Sequence, residues 1–241
     1  MEAPANRLTP LRVLPTPEAI GDYLAERLLD RFEHARQLGK KFLLGCPTGR
    51  TPRPVYEEIT RHGRDLSHVV LVMMDEYVPS GDEPWSCHSF VRRHMPWNAE
   101  VWFPDPNDPA AYDRRIAEAG GIDFFLLASG ASDGHVAFNQ PGAPRDSRTR
   151  VVPLSEATRR DNLKTSPSFG SLENVPSRGV TVGIATIAAA REAVMVVWGE
   201  SKRLTLTRMR AADRYDSSWP ATVIHEVRVR EIVCDAGAVS G

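Results

Sequence analysis

The fold is decided by residues 122–141, which read IDFFLLASGASDGHVAFNQP. The apolar half, residues 122–128, predicts a buried strand of a parallel sheet. The polar half begins where that strand ends and places Asp133 and His135 two residues apart. Ligands of open α/β sheets bind beyond the carboxyl ends of the strands, so this acid and imidazole are placed to move a proton on a bound molecule. A plain polar turn built on Asp and Gly is the alternative interpretation.

Apolar runs and amphipathic segments alternate on both sides of this stretch. We predict strands at residues 42–46, 69–74, 181–184, 194–198 and 231–234, and helices at residues 18–39, 51–62, 110–119 and 202–212, with a shorter helix inside residues 84–98. The second helix should have Thr51 as its N-cap and Pro52 as its first residue. The alternation predicts one α/β domain over residues 1–241: a doubly wound, mostly parallel, Rossmann-like sheet with helices on both faces. Residues 163–177 are polar and rich in Ser, Pro and Gly, which is typical of a mobile lid.

The composition is that of an ordinary globular chain. It has 241 residues, of which 41% are hydrophobic and 25% charged, and its formal net charge is −1. This balance gives no sign of a nucleic-acid or membrane surface, and we predict neither as a partner. We find no apolar run with the length of a membrane span or the position of a signal peptide. The three cysteines are far apart without a CxxC motif, which predicts no metal site, no disulfide framework and a cytoplasmic location.

A second loop, GCPTGRTP at residues 45–52, joins a predicted strand to a predicted helix. Free backbone N–H groups and the helix dipole at such a junction favour a phosphate. Arg50 adds a charge that can strengthen those bonds. The loop lacks the Lys of a Walker P-loop and the spacing of a dinucleotide fingerprint, so we predict no nucleotide cofactor.

Two further loops carry charged residues directly after predicted strands. Asp75 and Glu76 are adjacent acids after an apolar strand, a placement that needs a reason. The structural interpretation is that one of them is an N-cap or an ion-pair partner of Arg92 or Arg93. Lys202 lies at the start of a predicted helix, where a cation opposes the helix dipole. Its position therefore favours an anionic ligand.

Three motifs together resemble the glucosamine-6-phosphate deaminase/isomerase family, part of a wider group that includes the 6-phosphogluconolactonases. The motifs are MDEY at residues 74–77, DGHVAFN at residues 133–139 and SRTR at residues 147–150. The similarity extends over roughly residues 42–234. Their combination is typical of the deaminase branch, because lactonases usually differ after the Asp-Gly-His.

The resemblance implies roles for matching positions. Asp75 would remove the C2 proton of the open-chain sugar, and His135, oriented by Asp133, would open the ring by exchanging a proton with the ring oxygen or O1. Glu76 is counted among the substrate-binding candidates, with bracing of the sheet as the alternative. The implied phosphate ligands are Thr48, Gly49, Arg50, Thr51, Lys202 and Lys164, the last in place of the family's lid arginine.

This chain departs from the family pattern most clearly at Gln140, a candidate catalytic position where the family has Glu. An amide can neither accept a proton nor stabilise an imidazolium as a carboxylate does. Arg50 replaces a Gly of the phosphate loop, and Val152 replaces a Lys of the family's allosteric site. Ring opening and amine expulsion by the usual route are therefore in question, whereas C2 deprotonation is not.

Four functions follow from these residues. The first is an amino-sugar-6-phosphate isomerase/deaminase that yields a ketose 6-phosphate and ammonia. The second is a dehydratase that expels the C3 hydroxyl of N-acetylglucosamine 6-phosphate by β-elimination. A phosphosugar lactonase and a non-catalytic sugar-phosphate sensor rank below them. All four take a small sugar phosphate as the ligand, require no cofactor, and allow a homo-oligomer.

Overall fold

The computed structural model describes residues 9–79 and 81–239. The strands are β1 (Leu11–Leu14), β2 (Phe42–Cys46), β3 (Val69–Met73), β4 (Asp75–Val78), β5 (Glu100–Trp102), β6 (Phe124–Ala128), β7 (Arg150–Pro153), β8 (Arg178–Thr181), β9 (Glu192–Val197) and β10 (Val229–Asp235). The helices are α1 (Pro17–Gln37), α2 (Arg53–His62), α3 (Cys87–His94), α4 (Pro109–Glu118), α5 (Glu156–Thr165), α6 (Ile184–Ala188), α7 (Arg203–Ala211) and α8 (Ala236–Val239).

Seven strands form one parallel sheet in the order β1-β10-β9-β6-β2-β3-β5. From β2 the chain proceeds to β3 and β5 on one side, and then returns to β6, β9 and β10 on the other. The strand order therefore reverses between β2 and β6. Their carboxyl ends flank a crevice of the type in which doubly wound folds bind ligands. The predicted parallel α/β architecture is confirmed.

Side chains of the sheet alternate between two apolar layers. In β6, Phe124 and Leu126 pack with residues of α1, α2 and α3, whereas Phe125 and Leu127 pack with residues of α4, α6 and α7. This alternation follows from the pleat of a strand, which directs successive side chains to opposite faces. Both faces are covered, so the polar loops at the strand ends project from a rigid base.

A three-stranded antiparallel sheet pairs β8 with both β4 and β7 and corrects the predicted boundaries. Asp75 begins β4, so the segment that we predicted as a loop is itself a strand, separated from β3 by Met74 alone. The predicted strand at 181–184 is wrong in position, because β8 ends at Thr181 and α6 begins at Ile184. The new pairing sets Asp75 opposite Thr181.

One local prediction at a helix end also differs from the structure. The N-cap of α2 is Pro52, which makes no side-chain capping bond, and Thr51 instead accepts a hydrogen bond at its carbonyl from Trp198 Nε1 at 2.9 Å. Residues 163–177 include the end of α5 and a 3-10 turn in which Phe169 is only 2% exposed. Across the described residues, no helix combines the length and apolarity needed to cross a bilayer.

Candidate active site

Four loops that carry the predicted site residues emerge from four neighbouring strands. The strands lie side by side in the order β9-β6-β2-β3, and all of them run parallel. The loop with Lys202 follows β9, the loop with His135 follows β6, the loop with Arg50 follows β2, and Asp75 comes two residues after β3. Their carboxyl ends must meet at one edge, so the topology collects these side chains at the crevice.

Asp133 and His135 form a tight pair above β6. Asp133 Oδ1 lies 2.6 Å from His135 Nδ1 and also accepts the His135 backbone N–H at 3.1 Å. Burial acts to raise the pKa of Asp133, but the hydrogen bonds and charge of His135 and a bond from Thr158 lower it to about 2. The ionised carboxylate therefore holds the proton of His135 on Nδ1, which leaves Nε2 for a ligand.

Gly130 allows this pair to fit under its own loop. A side-chain carbon at Gly130 would lie 2.2 Å from His135 Nδ1 and 2.8 Å from Asp133 Oδ1. No other residue type can occupy that position without moving the imidazole. The glycine is thus required for close approach, and its backbone N–H donates to the His135 carbonyl at 2.8 Å.

Asp75 is a buried carboxylate with the proton affinity expected of a base at neutral pH. Its side chain lies at the start of β4, and the residue is 6% exposed. Burial, followed by the charge of Glu76, raises the pKa of Asp75 to about 7, while a bond from the Cys87 thiol opposes that rise. The thiol is a weak donor at 3.7 Å and leaves the carboxylate basic. A base whose pKa lies near the working pH is the most effective in general base catalysis.

Glu76 is bound to the protein rather than free for a ligand. It is 1% exposed and accepts the backbone N–H groups of Tyr77, Cys87 and His88. Its Oε2 also lies 2.6 Å from His88 Nδ1. These contacts fasten the first turn of α3 to β4. The structure therefore places Glu76 as a brace, which was the alternative to its predicted role in substrate binding.

A cationic region occupies the other end of the crevice. Lys202 is 9% exposed, and its Nζ donates to the Ser129 carbonyl. The Arg50 guanidinium lies over the Trp198 ring at 4.7 Å from its centroid. Burial lowers the pKa of Lys202 to about 8, an effect that Arg50 reinforces and that Asp161 and Asp133 oppose. Two neighbouring cations repel each other, so an anionic ligand that binds to both is favoured there.

Two predicted site residues do not reach this crevice. Gln140 donates through Nε2 to the Pro153 carbonyl at 2.6 Å, and its Oε1 accepts from Ser155 N at 2.5 Å and from Thr158 Oγ1 at 3.2 Å. It thus contacts Asp133 only through the shared Thr158 hydroxyl, which lies 2.9 Å from Asp133 Oδ2. The side chain of Lys164 is 78% exposed, on the outer part of α5.

Hydrogen bonds connect the antiparallel sheet that contains Asp75 to the loop of His135. Thr181, which is paired with Asp75, accepts the Phe138 N–H at 3.1 Å through its side-chain oxygen. Asn139 donates to the Val182 carbonyl at 2.8 Å. The base and the imidazole are therefore attached to the same antiparallel sheet, although they follow different strands of the parallel one.

Asp161 on α5 was not identified from the sequence. One carboxylate oxygen of Asp161, one of Asp133 and a ring nitrogen of His135 lie within 4.8 Å of one another. Such a group can hold a metal ion, but Asp133 already accepts bonds from His135 and Thr158, and Asp161 accepts three others. No sequence signal marked Asp161, because the helix that carries it lacks a clear apolar stripe and was not predicted.

Comparisons with known proteins identify a consistent group of relatives. The family model described as "Glucosamine-6-phosphate isomerases/6-phosphogluconolactonase" matches residues 15–233. A glucosamine-6-phosphate deaminase of Porphyromonas gingivalis is 35% identical, over 95% of this chain and 92% of its own length. Another from Rhodopirellula baltica is 40% identical over 69% of this chain and 71% of its own.

Solved structures agree in architecture. A monomeric glucosamine-6-phosphate deaminase superposes with a TM-score of 0.87 at 26% identity, covering 96% of this chain and 99% of its own. A 6-phosphogluconolactonase of Shewanella baltica has a TM-score of 0.76 at 17% identity, with coverage of 95% and 98%. At that identity, the second likeness shows the fold alone.

Proposed function

Since this chain belongs to the glucosamine-6-phosphate isomerase/6-phosphogluconolactonase family, we propose that it is a deaminase/isomerase of hexosamine 6-phosphates with Asp75 as the C2 base. One observation carries the proposal above all. Asp75 is a buried carboxylate whose pKa is raised to about 7, at a crevice that also holds an acid–imidazole pair and a buried lysine. Removal of a proton next to a carbonyl requires such a base.

The proposed reaction begins with ring opening. His135 Nε2 takes the proton of the sugar's O1 hydroxyl and returns it to the ring oxygen as the C1–O5 bond breaks and the C1 carbonyl forms. Asp75 then removes the C2 proton as a proton of the ammonium group passes to O1, which gives an enolamine. Asp75 returns its proton to C1, which leaves a protonated imine at C2 and a hydroxyl at C1. Water converts this imine into the ketone as ammonia departs, so the overall change is amino sugar plus water to ketose plus ammonia.

The phosphate of the substrate would bind at the cationic end. Thr48, Gly49, Arg50 and Thr51 form the turn after β2, and Lys202 faces it from the loop after β9. Lys202 contributes a buried charge, which binds an anion more strongly than a solvated one. In this proposal Lys164 reaches the phosphate only if residues 163–177 move as a lid. The aromatic contact between Phe169 and Trp85, with ring centroids 5.1 Å apart, would then be the contact that opens.

A second candidate function is dehydration of N-acetylglucosamine 6-phosphate. It keeps Asp75 as the base, but the C3 hydroxyl leaves as water instead of the amine leaving as ammonia. The bonding of Gln140 favours it, because the amide is bound to backbone groups of residues 153–155 and offers no acid for amine expulsion. An N-acetylated nitrogen is also a poor leaving group.

Product analysis separates the two functions. Wild type is incubated with glucosamine 6-phosphate and with N-acetylglucosamine 6-phosphate, and ammonia and the mass of the sugar product are measured. Ammonia from the first substrate supports deamination, and loss of one water from the second supports dehydration. In either case Asp75→Asn should lower the rate at least ~100-fold. Ligand-induced thermal stabilisation without any turnover would instead indicate a sensor, and an unimpaired Asp75→Asn would remove Asp75 from the mechanism.

A further inference from the structure

Asp161 lies inside the site and is bound there through one oxygen. The residue is 8% exposed. Its Oδ2 accepts the backbone N–H groups of Ala131 at 3.1 Å and Ser132 at 3.0 Å, and the Ser132 hydroxyl at 2.7 Å. Its Oδ1 lies 3.9 Å from Lys164 Nζ, which is mostly in water, and the carboxylate also interacts with the buried Lys202. Asp161 therefore brings a negative charge onto the loop that carries His135.

The charge of Asp161 acts on the catalytic pair. A carboxylate oxygen of Asp161 lies within 4.8 Å of both Asp133 and a ring nitrogen of His135. The same charge also reaches Lys202, whose pKa it raises against the effect of burial. At such distances and in a buried setting, charge interactions are several times stronger than in water.

The proposed reaction needs such a charge. When His135 takes a proton from the sugar, a positive imidazolium forms in a crevice that already contains Lys202 and Arg50. Asp133 neutralises one positive charge, and the amide of Gln140 neutralises none. A further carboxylate beside the pair lowers the free energy of the protonated imidazole.

We propose that Asp161 is this further carboxylate. It is a positioning residue, and its negative charge stabilises the protonated form of His135. Gln140 cannot do this, because its side chain is an uncharged amide. The inference rests on the proposed function, since it assigns Asp161 to the ring-opening step of that reaction. The C2 proton remains the task of Asp75. Loss of the Asp161 charge should therefore slow ring opening and leave C2 deprotonation largely intact.

Asp161→Asn tests the charge apart from the hydrogen bonds. The amide keeps an acceptor oxygen for Ala131 and Ser132, so a merely structural role would survive the change. We expect kcat to fall about 10- to 100-fold with KM within about 3-fold, the range of a lost acid–base contribution. With substrate deuterated at C2, the isotope effect on kcat/KM should fall towards 1, because ring opening then limits the rate.

Asp113→Asn is a matched control. Asp113 also accepts one backbone N–H, from Thr149 at 2.7 Å, and one hydroxyl, from Thr186 at 2.6 Å, but it lies outside the crevice. Its activity should match that of wild type. Asp161→Ser, which keeps a hydroxyl acceptor without charge, provides a second neutral variant should the first be poorly folded.

The outcomes distinguish this inference from the function on which it rests. Wild type that turns over neither glucosamine 6-phosphate nor its N-acetyl form overturns both. Active wild type with an Asp161→Asn variant of unchanged kcat and unchanged isotope effect overturns the inference alone. A fall in kcat accompanied by a larger isotope effect also overturns it, since the charge would then act on the step of Asp75.

Discussion

Replacing Asp75 by Asn should stabilise the fold while it destroys the activity. The pKa of Asp75 is raised from its ordinary 3.8 to about 7, first by burial and then by the charge of Glu76. The folded protein therefore binds this proton more tightly than the unfolded chain does. The contribution of Asp75 to the free energy of unfolding is therefore most favourable below about pH 4, falls as the pH rises from about 4 to about 7, and stays lower above that window.

The magnitude follows from the displacement of the pKa. A difference of about 3 on the pKa scale, at about 1.4 kcal/mol each, gives an upper bound of about 4 kcal/mol for the cost of the ionised Asp75 at pH 8. Asn has nearly the same shape and carries no charge. We expect Asp75→Asn to gain about 1–4 kcal/mol at pH 8, which raises Tm by about 3–12 °C for a chain of this size.

Thermal unfolding of both proteins at pH 4, 6 and 8 measures the effect. The difference in Tm should be near zero at pH 4 and grow with pH. Glu76→Gln is the opposing control, since Glu76 accepts four hydrogen bonds from Tyr77, Cys87 and His88, and the loss of charge-assisted bonds should lower Tm. If the Tm of Asp75→Asn is lower than that of wild type, or exceeds it by the same amount at every pH, the ionised Asp75 is not a destabilising buried charge.

Three other predictions concern the same crevice. The value of kcat/KM should rise with pH through about 7 as Asp75 loses its proton, and a profile that is flat between pH 6 and 8 would contradict this. Lys202→Met should lower kcat/KM for a sugar phosphate about 10- to 100-fold and have little effect on kcat/KM for the unphosphorylated sugar. In wild type, binding of the sugar phosphate should weaken above pH 8, because Lys202 loses its proton there. Gln140→Glu should lower the free energy of unfolding at pH 8 by about 1–3 kcal/mol, because a carboxylate cannot donate to the Pro153 carbonyl. If urea unfolding gives the same free energy for the variant and for wild type, this hydrogen bond is dispensable.

The sequence determined the parallel sheet and the loops at its edge. Apolar runs such as residues 122–128 are long enough and apolar enough to require burial on both faces, so the parallel direction of the strands follows from their alternation with helices. Asp133, His135 and Lys202 come directly after such runs. Their meeting at one edge was therefore predictable from their positions along the chain.

Only the tertiary structure decided which partners these groups have. The antiparallel sheet pairs β4 with β8, about 100 residues later in the chain, so no local pattern shows that Asp75 lies in a strand. Asp75 and Glu76 are adjacent carboxylates, yet Glu76 is hydrogen-bonded to α3 whereas burial raises the pKa of Asp75. Asp161 reaches the site because α5 folds back over the loop of His135. Burial and charge depend on what is packed nearby in space, and a linear pattern of residue types contains that information only where the contacts are local.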